Sequence, residues 1–299
     1  MLFVPNGSND FAASASYGLT RPGVASNGVS LTAATLSTTN AYSTTQFQQI
    51  GSSLKTDCYG LYINVNNYYA GGVFRQLALR FVVDYTGVGG SSFGSGNVII
   101  DGLVGSQATQ YALGGGLWYY FPIYIPSGSA VGVTGRGSTT TAPLPSISIQ
   151  YMTAPSNPSL VKRASFVETI GLTLGTGTVA GISVTPSTAA TEPNSWTLIG
   201  TTTKRTWWWQ VACQHSDTTM TALNYHVDLG VGTSTTTVDP IITDQYIQTT
   251  ATEQFLNLGR GFGVEKVVPA GSSIYARVHN AGANENAGSF QVVAYGCGG

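Results

Sequence analysis

The chain carries one pattern twice. Ile125, Pro126, Ser127, Gly128, Ser129, Ala130 and Val131 return as Val268, Pro269, Ala270, Gly271, Ser272, Ser273 and Ile274. The register is unchanged where Ser146, Ile147 and Ile149 meet Ser289, Phe290 and Val292. Upstream, Ala78, Leu79, Phe81, Val83 and Asp84 answer to Ala222, Leu223, Tyr225, Val227 and Asp228, and Ile99 and Ile100 to Ile241 and Ile242. At the front of each copy, Ala15, Ser16, Tyr17, Phe47, Ile50 and Gly51 match Ala164, Ser165, Phe166, Trp196, Ile199 and Gly200. The matches keep one order and drift little in offset, as one fold written twice would, whereas chance similarity would scatter. In a chain of 299 residues this repeat predicts two domains, each long enough to bury its own core. The expected boundaries are an N-terminal arm at 1–14, a first domain at 15–153, a linker at 154–162 and a second domain at 163–299.

Helical periodicity is scarce, and short runs of Val, Ile, Tyr, Phe and Thr recur between Gly, Ser, Asn and Pro. Clear alternation appears in Leu61, Ile63 and Val65 and in Leu77, Leu79, Phe81 and Val83; their partners in the second copy include Val211 and the series Leu223, Tyr225, Val227. Each series points one strand face at a core. Ile147 to Tyr151 and Phe290 to Ala294 alternate in the same way and close each copy. In Ile-Pro-Ser-Gly and Val-Pro-Ala-Gly, Pro presets φ and Gly accepts a positive φ, so both segments predict a turn before the penultimate strand. About eight strands per copy, with turn signals roughly every 8 to 12 residues, predict an all-β chain of two tandem, internally duplicated jelly-roll or β-sandwich domains. Pro155, Asn157, Pro158 and Ser159 suit a stiff connector, while residues 1–10 and the tract from Gly18 to Thr45 suit arms, either disordered or lying along a neighbouring subunit.

Charged residues make up only 8% of the chain, against roughly 25% in ordinary soluble domains. Sheet edges are usually guarded by charge, particularly Lys, and little is available here, so the edges are expected to be covered by other subunits. The net charge of -1 offers no electrostatic partner to nucleic acid or an anionic membrane. Met1 to Asp10 has no basic start and is broken by Pro5, so no signal peptide is expected. Leu117 to Ile125 carries Pro122 and is about half of the roughly 18 residues a spanning helix needs, so a soluble protein is expected. Cys58, Cys213 and Cys297 are odd in number and far apart, which predicts free thiols in a reducing compartment rather than a disulfide framework or a zinc cluster.

No catalytic, cofactor or metal site is expected. Gly90 to Gly94 fits G-x-S-x-G, but no helix follows, and a flexible hairpin loop is the expectation. Gly175 to Gly181 lacks the spacing and helix of a phosphate loop. His215, His226 and His279 all fall in the second copy, and His226 shares a strand face with Asp228. A metal needs at least three convergent ligands, and Asp228 has its counterpart in Asp84, so the carboxylate is expected to form a strand-end turn in both copies. Asp57, Asp84, Asp101, Glu253 and Glu265 form no recognisable carboxylate pair, and the Asn6-Gly7-Ser8 sequon is too short a pattern to carry weight.

The aromatic runs are the candidate contact residues. Trp207, Trp208 and Trp209 are consecutive, so in a regular strand the middle ring faces away from the other two, and one set must be exposed or at a contact. Tyr68 with Tyr69, and Trp118 within Trp118 to Phe121, raise the same expectation of a subunit contact, a contact between domains or a glycan platform, with Lys204 and Arg205 as a polar rim.

The duplicated pattern has an aromatic-x-x-Ile-Gly opening (Phe47 to Gly51, Trp196 to Gly200), a Pro-x-Gly turn and a final strand ending in a Tyr-containing segment. In this it resembles virion structural proteins of tailed bacteriophages, including capsid decoration proteins and fibre or adhesin domains built from jelly rolls. The resemblance implies assembly in a bacterial cytoplasm and residence in the virion. It also implies self-association, with a trimer as the expected form, and contact with major capsid or tail proteins or with a host surface glycan. It implies no cofactor, nucleic acid or membrane.

Overall fold

The repeated runs of β-branched and aromatic residues form strands throughout. The structure, a computed structural model, describes residues 19–20, 29–30, 36–37, 42–51, 53–66, 75–107, 117–137, 146–153, 163–176, 178–187, 193, 195–215, 223–249, 255–257, 263–280 and 290–299. The expected arm at 1–14, the linker at 154–162, Tyr68 and Tyr69 lie outside them. The first half holds β1 (Leu19–Thr20), β2 (Val29–Ser30), β3 (Leu36–Ser37), β4 (Gln48–Gln49), β5 (Cys58–Asn66), β6 (Arg75–Asp84), β7 (Asn97–Gln107), β8 (Leu117–Phe121), β9 (Ala130–Gly137) and β10 (Ser146–Thr153). The second holds β11 (Phe166–Ile170), β12 (Thr173–Gly175), β13 (Thr178–Ala180), β14 (Ile182–Val184), β15 (Thr197–Thr201) and β16 (Thr206–His215). It continues with β17 (Leu223–Ser234), β18 (Thr237–Thr249), β19 (Phe255–Asn257), β20 (Val264–Val268), β21 (Ser273–Asn280) and β22 (Phe290–Gly298).

These strands make an all-β sandwich architecture. A front sheet runs β1-β10-β5-β8, with β2 also on β10. An outer sheet runs β15-β21-β17-β18. Between them lies an 11-stranded sheet, β19-β16-β22-β11-β7-β6-β9-β3, with β14, β20 and β4 attached to β22, β16 and β9. The pairing of the first half recurs in the second. The order β1-β10-β5-β8 is answered by β11-β22-β16-β20, and β7-β6-β9-β4 by β18-β17-β21-β15. The two patterns meet where β11 lies parallel to β7, with Val167 opposite Ile100, and at a parallel bridge between Ile123 and Ala164.

The Pro-x-Gly turns repeat to the hydrogen bond. Gly128 (φ 85°) donates its N–H to Leu54 O at 2.7 Å, and Leu54 donates to Ser129 O at 2.8 Å. Gly271 (φ 80°) donates to Thr202 O at 2.7 Å, and Thr202 donates to Ser272 O at 2.9 Å. A Cβ at Gly128 or Gly271 would meet nothing within 4 Å, so glycine is needed there for its left-handed backbone and not for space.

Two cores result, on opposite faces of β16 and β22, and the first draws on both halves of the chain. Leu61, Ile63, Val65, Leu77, Leu79, Phe81 and Val83 fill the first, as their alternation predicts. That core also takes in Val167, Ala212, Val293, Tyr295 and Cys297 from the second half. Trp209, Val211, Cys213, Phe290, Val292 and Ala294 face the other way, into a core shared with Tyr225, Val227, Leu229, Ile274 and Val278. The middle strands β16 and β22 are therefore buried on both faces, unlike the one-sided strands the alternation predicted. Such strands read as nearly continuous apolar runs.

Tyr295 is the pivot. Its ring centroid lies 5.6 Å from Tyr119 and 5.9 Å from Phe121 on β8, and its hydroxyl accepts the N–H of Val104 on β7 at 2.8 Å. Alongside, Trp208 meets Tyr120 edge-on at 5.8 Å, and the Gln210 amide donates to Tyr120 O.

The described residues of the tract from Gly18 to Thr45, expected as an arm, are fitted onto the chain's own sandwich. β1 and β2 pair with β10, β3 pairs with β9, and Tyr42 is buried beneath the Arg80 guanidinium at 4.3 Å. Cys58, Cys213 and Cys297 are free and buried. Desolvation pushes the Cys58 thiol up to about 12 and raises the other two, which holds all three as unreactive thiols. No helix among the described residues is long and apolar enough to cross a membrane.

Candidate functional site

The outer face of the four-stranded sheet gathers the polar side chains of β17, β18 and β21. Tyr225, Val227 and Val278 point into the second core, so the alternate residues point outward. His226 stands directly opposite His279 on β21 and opposite Tyr246 on β18. The two imidazole rings stack at 4.9 Å with planes 6° apart, and Tyr246 meets His226 edge-on at 5.7 Å. Two residues along, Asp228 stands opposite Arg277 and is fully buried; its carboxylate accepts Arg277 Nε at 2.6 Å. The guanidinium lies 4.4 Å over the Trp196 ring and donates to Pro193 O at 3.3 Å.

A bulge brings in a third group. The β17–β18 register shifts between Val227 and Leu229, and Asp244 takes a φ of 52°, the only positive value at a non-glycine among the described residues. Its N–H is clamped by the Asp228 carboxylate at 2.7 Å. Its own carboxylate then lies 3.9 Å from His226 Nδ1 and 3.9 Å from His279 Nε2, and three donor atoms of this trio fall within 4.8 Å of one another. The Nδ1 atoms of both histidines are buried without a hydrogen-bond partner.

Two of these residues, His226 and Asp228, were legible as neighbours in sequence, and the structure sets His279 and the Asp244 carboxylate beside His226. Asp228 is not a strand-end turn former, because β17 continues to Ser234, and its work is to hold Arg277 and Asp244. The third member of the cluster, Asp244, is delivered by a bulge. Its only sequence signal is an acidic residue two positions before Tyr246. His215 takes its place in β16 opposite Phe290, apart from this trio in the sheet order.

Asp84 does form the predicted turn. It accepts the Thr86 N–H at 2.9 Å, the Thr86 hydroxyl at 2.7 Å, the Gly89 N–H at 2.9 Å and the Ser92 hydroxyl at 2.5 Å. The Ser92 hydroxyl, then the Gly89 N–H and the Thr86 hydroxyl, hold its carboxyl well below the usual carboxylate range. Gly90–Ser95 is a 3-10 turn within the loop that joins the antiparallel β6 and β7, with Phe93 buried against Phe47 at 5.9 Å. Ser92, the serine of G-x-S-x-G, is a structural donor. The carboxylate stabilises the fold fully above about pH 4, and that contribution is lost as pH falls toward the lowered folded-state value. Asp84→Asn, which turns an amide donor toward Gly89 or Ser92, is expected to remove about 1–3 kcal/mol at pH 7 by urea titration. The deficit should shrink at pH 3, and an equal deficit at both pH values would contradict the role.

The aromatic candidates divide. Trp209 is fully buried in the second core with Nε1 donating to Lys266 O at 3.0 Å, so it is withdrawn from any glycan or subunit surface. Trp207 and Trp208 are half-buried and both pack against the first core. The simple alternation fails because a register irregularity separates Thr206 from Trp208. Trp118 takes its place in β8 opposite Asn64. The carboxylates of the first half are engaged locally: Asp57 accepts Ser127 N–H at 2.8 Å, and Asp101 pairs with Arg80 at 2.9 Å.

Fold and site together define an all-β sandwich protein with a polar cluster on an outer sheet face. No protein-family model and no curated protein matches the chain. Among solved structures it is similar to PNGF-II, at 9% identity and a TM-score of 0.39, covering 97% of this chain and 66% of that one. It is similar to the VP2 subviral particle protein of infectious bursal disease virus, at 11% identity and a TM-score of 0.25, covering 83% of this chain and 58% of that one. It is also similar to the CBM22-1–CBM22-2 tandem domain of Paenibacillus barcinonensis Xyn10C, at 12% identity and a TM-score of 0.20, covering 82% of this chain and 80% of that one. The chain thus spans somewhat under two thirds of the first two.

Proposed function

We propose that the chain is a non-enzymatic virion structural protein built from two copies of one sandwich, and specifically a capsid decoration or cement protein of a tailed bacteriophage. The observation that carries this reading is the uncharged edge of the outer sheet. Among the described residues, β15, Thr-Leu-Ile-Gly-Thr, pairs within its sheet only with β21, and Leu198 is 49% exposed on it. On the 11-stranded sheet, Val264 and Val267 of β20 are exposed beside Glu265 and Lys266. An edge without Lys or Glu invites pairing with another chain, and a chain with 8% charged residues has little to repel its own copies. Strands of both halves share one sheet, which suits a lattice position. Three chains would present six similar sandwiches, which suits a trimer on a pseudo-sixfold capsid site.

The second reading is a tail-associated adhesin that grips a host glycan, favoured by the half-buried Trp207 and Trp208 beside the exposed Lys204 and Arg205. Binding of the purified chain to capsids lacking it separates the two. Saturable binding to capsids, weakened by Leu198→Lys, supports the decoration role. Binding to host envelopes instead, abolished by Trp207→Ala with Trp208→Ala, supports the adhesin. Hydrolysis of host polysaccharide by the pure chain would overturn both.

A further inference from the structure

We infer that His226, Asp244 and His279 form a binding site for a divalent transition-metal ion of the zinc class, an assignment independent of the virion reading. Three observations converge on it. The donors come from three different strands, and the backbone ladder fixes their approach: His226 and His279 are a register pair, and Asp244 is turned toward them by a left-handed backbone held by Asp228. Asp244 places one carboxylate oxygen 3.9 Å from a nitrogen of each ring. The nitrogen of His226 that faces Asp244 is its Nδ1, which is buried and has no hydrogen-bond partner, an arrangement that costs free energy unless something fills the gap.

The donor set selects the ion. Two neutral imidazoles and one carboxylate suit a borderline cation, whereas calcium and magnesium favour oxygen ligands. Metal–nitrogen bonds of about 2.0–2.1 Å in a tetrahedron place neighbouring donors roughly 3.3–3.4 Å apart, so the trio must contract by about half an ångström or more. The parallel rings must also tilt toward each other, because each lone pair lies in its own ring plane. His226 is the ring to move, with 28% of its side chain exposed, while His279 is 7% exposed and anchored against the Ser187 bridge. Three protein donors leave a fourth position for water or for a group of another molecule, on the side where Asp244 is exposed.

The experiment uses the full chain, stripped with a chelator and titrated with zinc against a chromophoric competitor, and separately with cobalt(II) followed by visible absorption. One ion per chain is expected, with the intense d–d bands of a four-coordinate cobalt site. Loss of a second-shell partner already weakens a metal site by about 10–100-fold, so His226→Gln and Asp244→Asn, at the two more exposed ligands, should each weaken binding by at least about tenfold. His279→Gln should do the same, and should it fail to fold, the other two variants decide. His215→Gln should leave binding unchanged. Zinc binding to the wild type no tighter than to the His226→Gln, Asp244→Asn double variant, or a six-coordinate cobalt spectrum insensitive to both, would overturn the assignment.

Discussion

Tyr295→Ala is expected to remove about 4 kcal/mol of folding free energy, a large part of the roughly 5–15 kcal/mol of a typical protein. The ring is fully buried at the place where the two halves touch, packed edge-on against Tyr119 and Phe121. Its removal leaves a cavity between β22 and β8 and orphans the N–H of Val104. The rigid β ladder on both sides prevents collapse into the gap, which places the variant toward the upper end of large-to-small substitutions. Tyr295→Phe keeps the ring contacts and loses only the hydroxyl, so its loss should be about 1–3 kcal/mol. Urea titration of the three proteins checks the series. A near-neutral Tyr295→Ala would mean that the halves do not pack through this ring.

Asp228→Ala should be comparably damaging, at about 3–5 kcal/mol, because it breaks a buried ion pair from one side. Asp228 is fully buried and Arg277 has only 14% of its side chain exposed, so the guanidinium cannot recover its hydration by moving to solvent. The loss also frees the Asp244 N–H, whose clamp holds the left-handed backbone at the bulge. Replacing both partners, Asp228→Leu with Arg277→Met, should recover most of the loss, since an apolar pair of similar size leaves no buried charge. Chemical denaturation provides the comparison. A single-variant loss below about 1 kcal/mol, the range of exposed pairs, would show that the pair is hydrated.

The all-β sandwich architecture was readable because its signals are local. Leu61, Ile63 and Val65 alternate as a one-sided strand must, and Pro126 to Gly128 and Pro269 to Gly271 carry the chemistry of the turn they form. The seam was not readable, because Val167 and Ile100 meet across a distance in sequence that no local pattern encodes. Its trace is the run from Val292 to Cys297, buried throughout, which breaks the alternation read over Phe290 to Ala294. The tryptophan run misled for the same reason: a bulge and burial on both faces replaced the simple inside-outside rule. At the outer face, His226 with Asp228 and Arg277 with His279 are each two residues apart and so share a face. The cross-strand register that joins them, and the backbone flip at Asp244, depend on the assembled sheet.

Both halves contribute strands to one sheet, and the first core draws residues from both, so the halves should melt together. Scanning calorimetry of the full chain tests this most directly. One transition whose calorimetric and van't Hoff enthalpies agree is the predicted result. Two transitions separated in temperature, with Tyr295→Phe shifting only one of them, would contradict it.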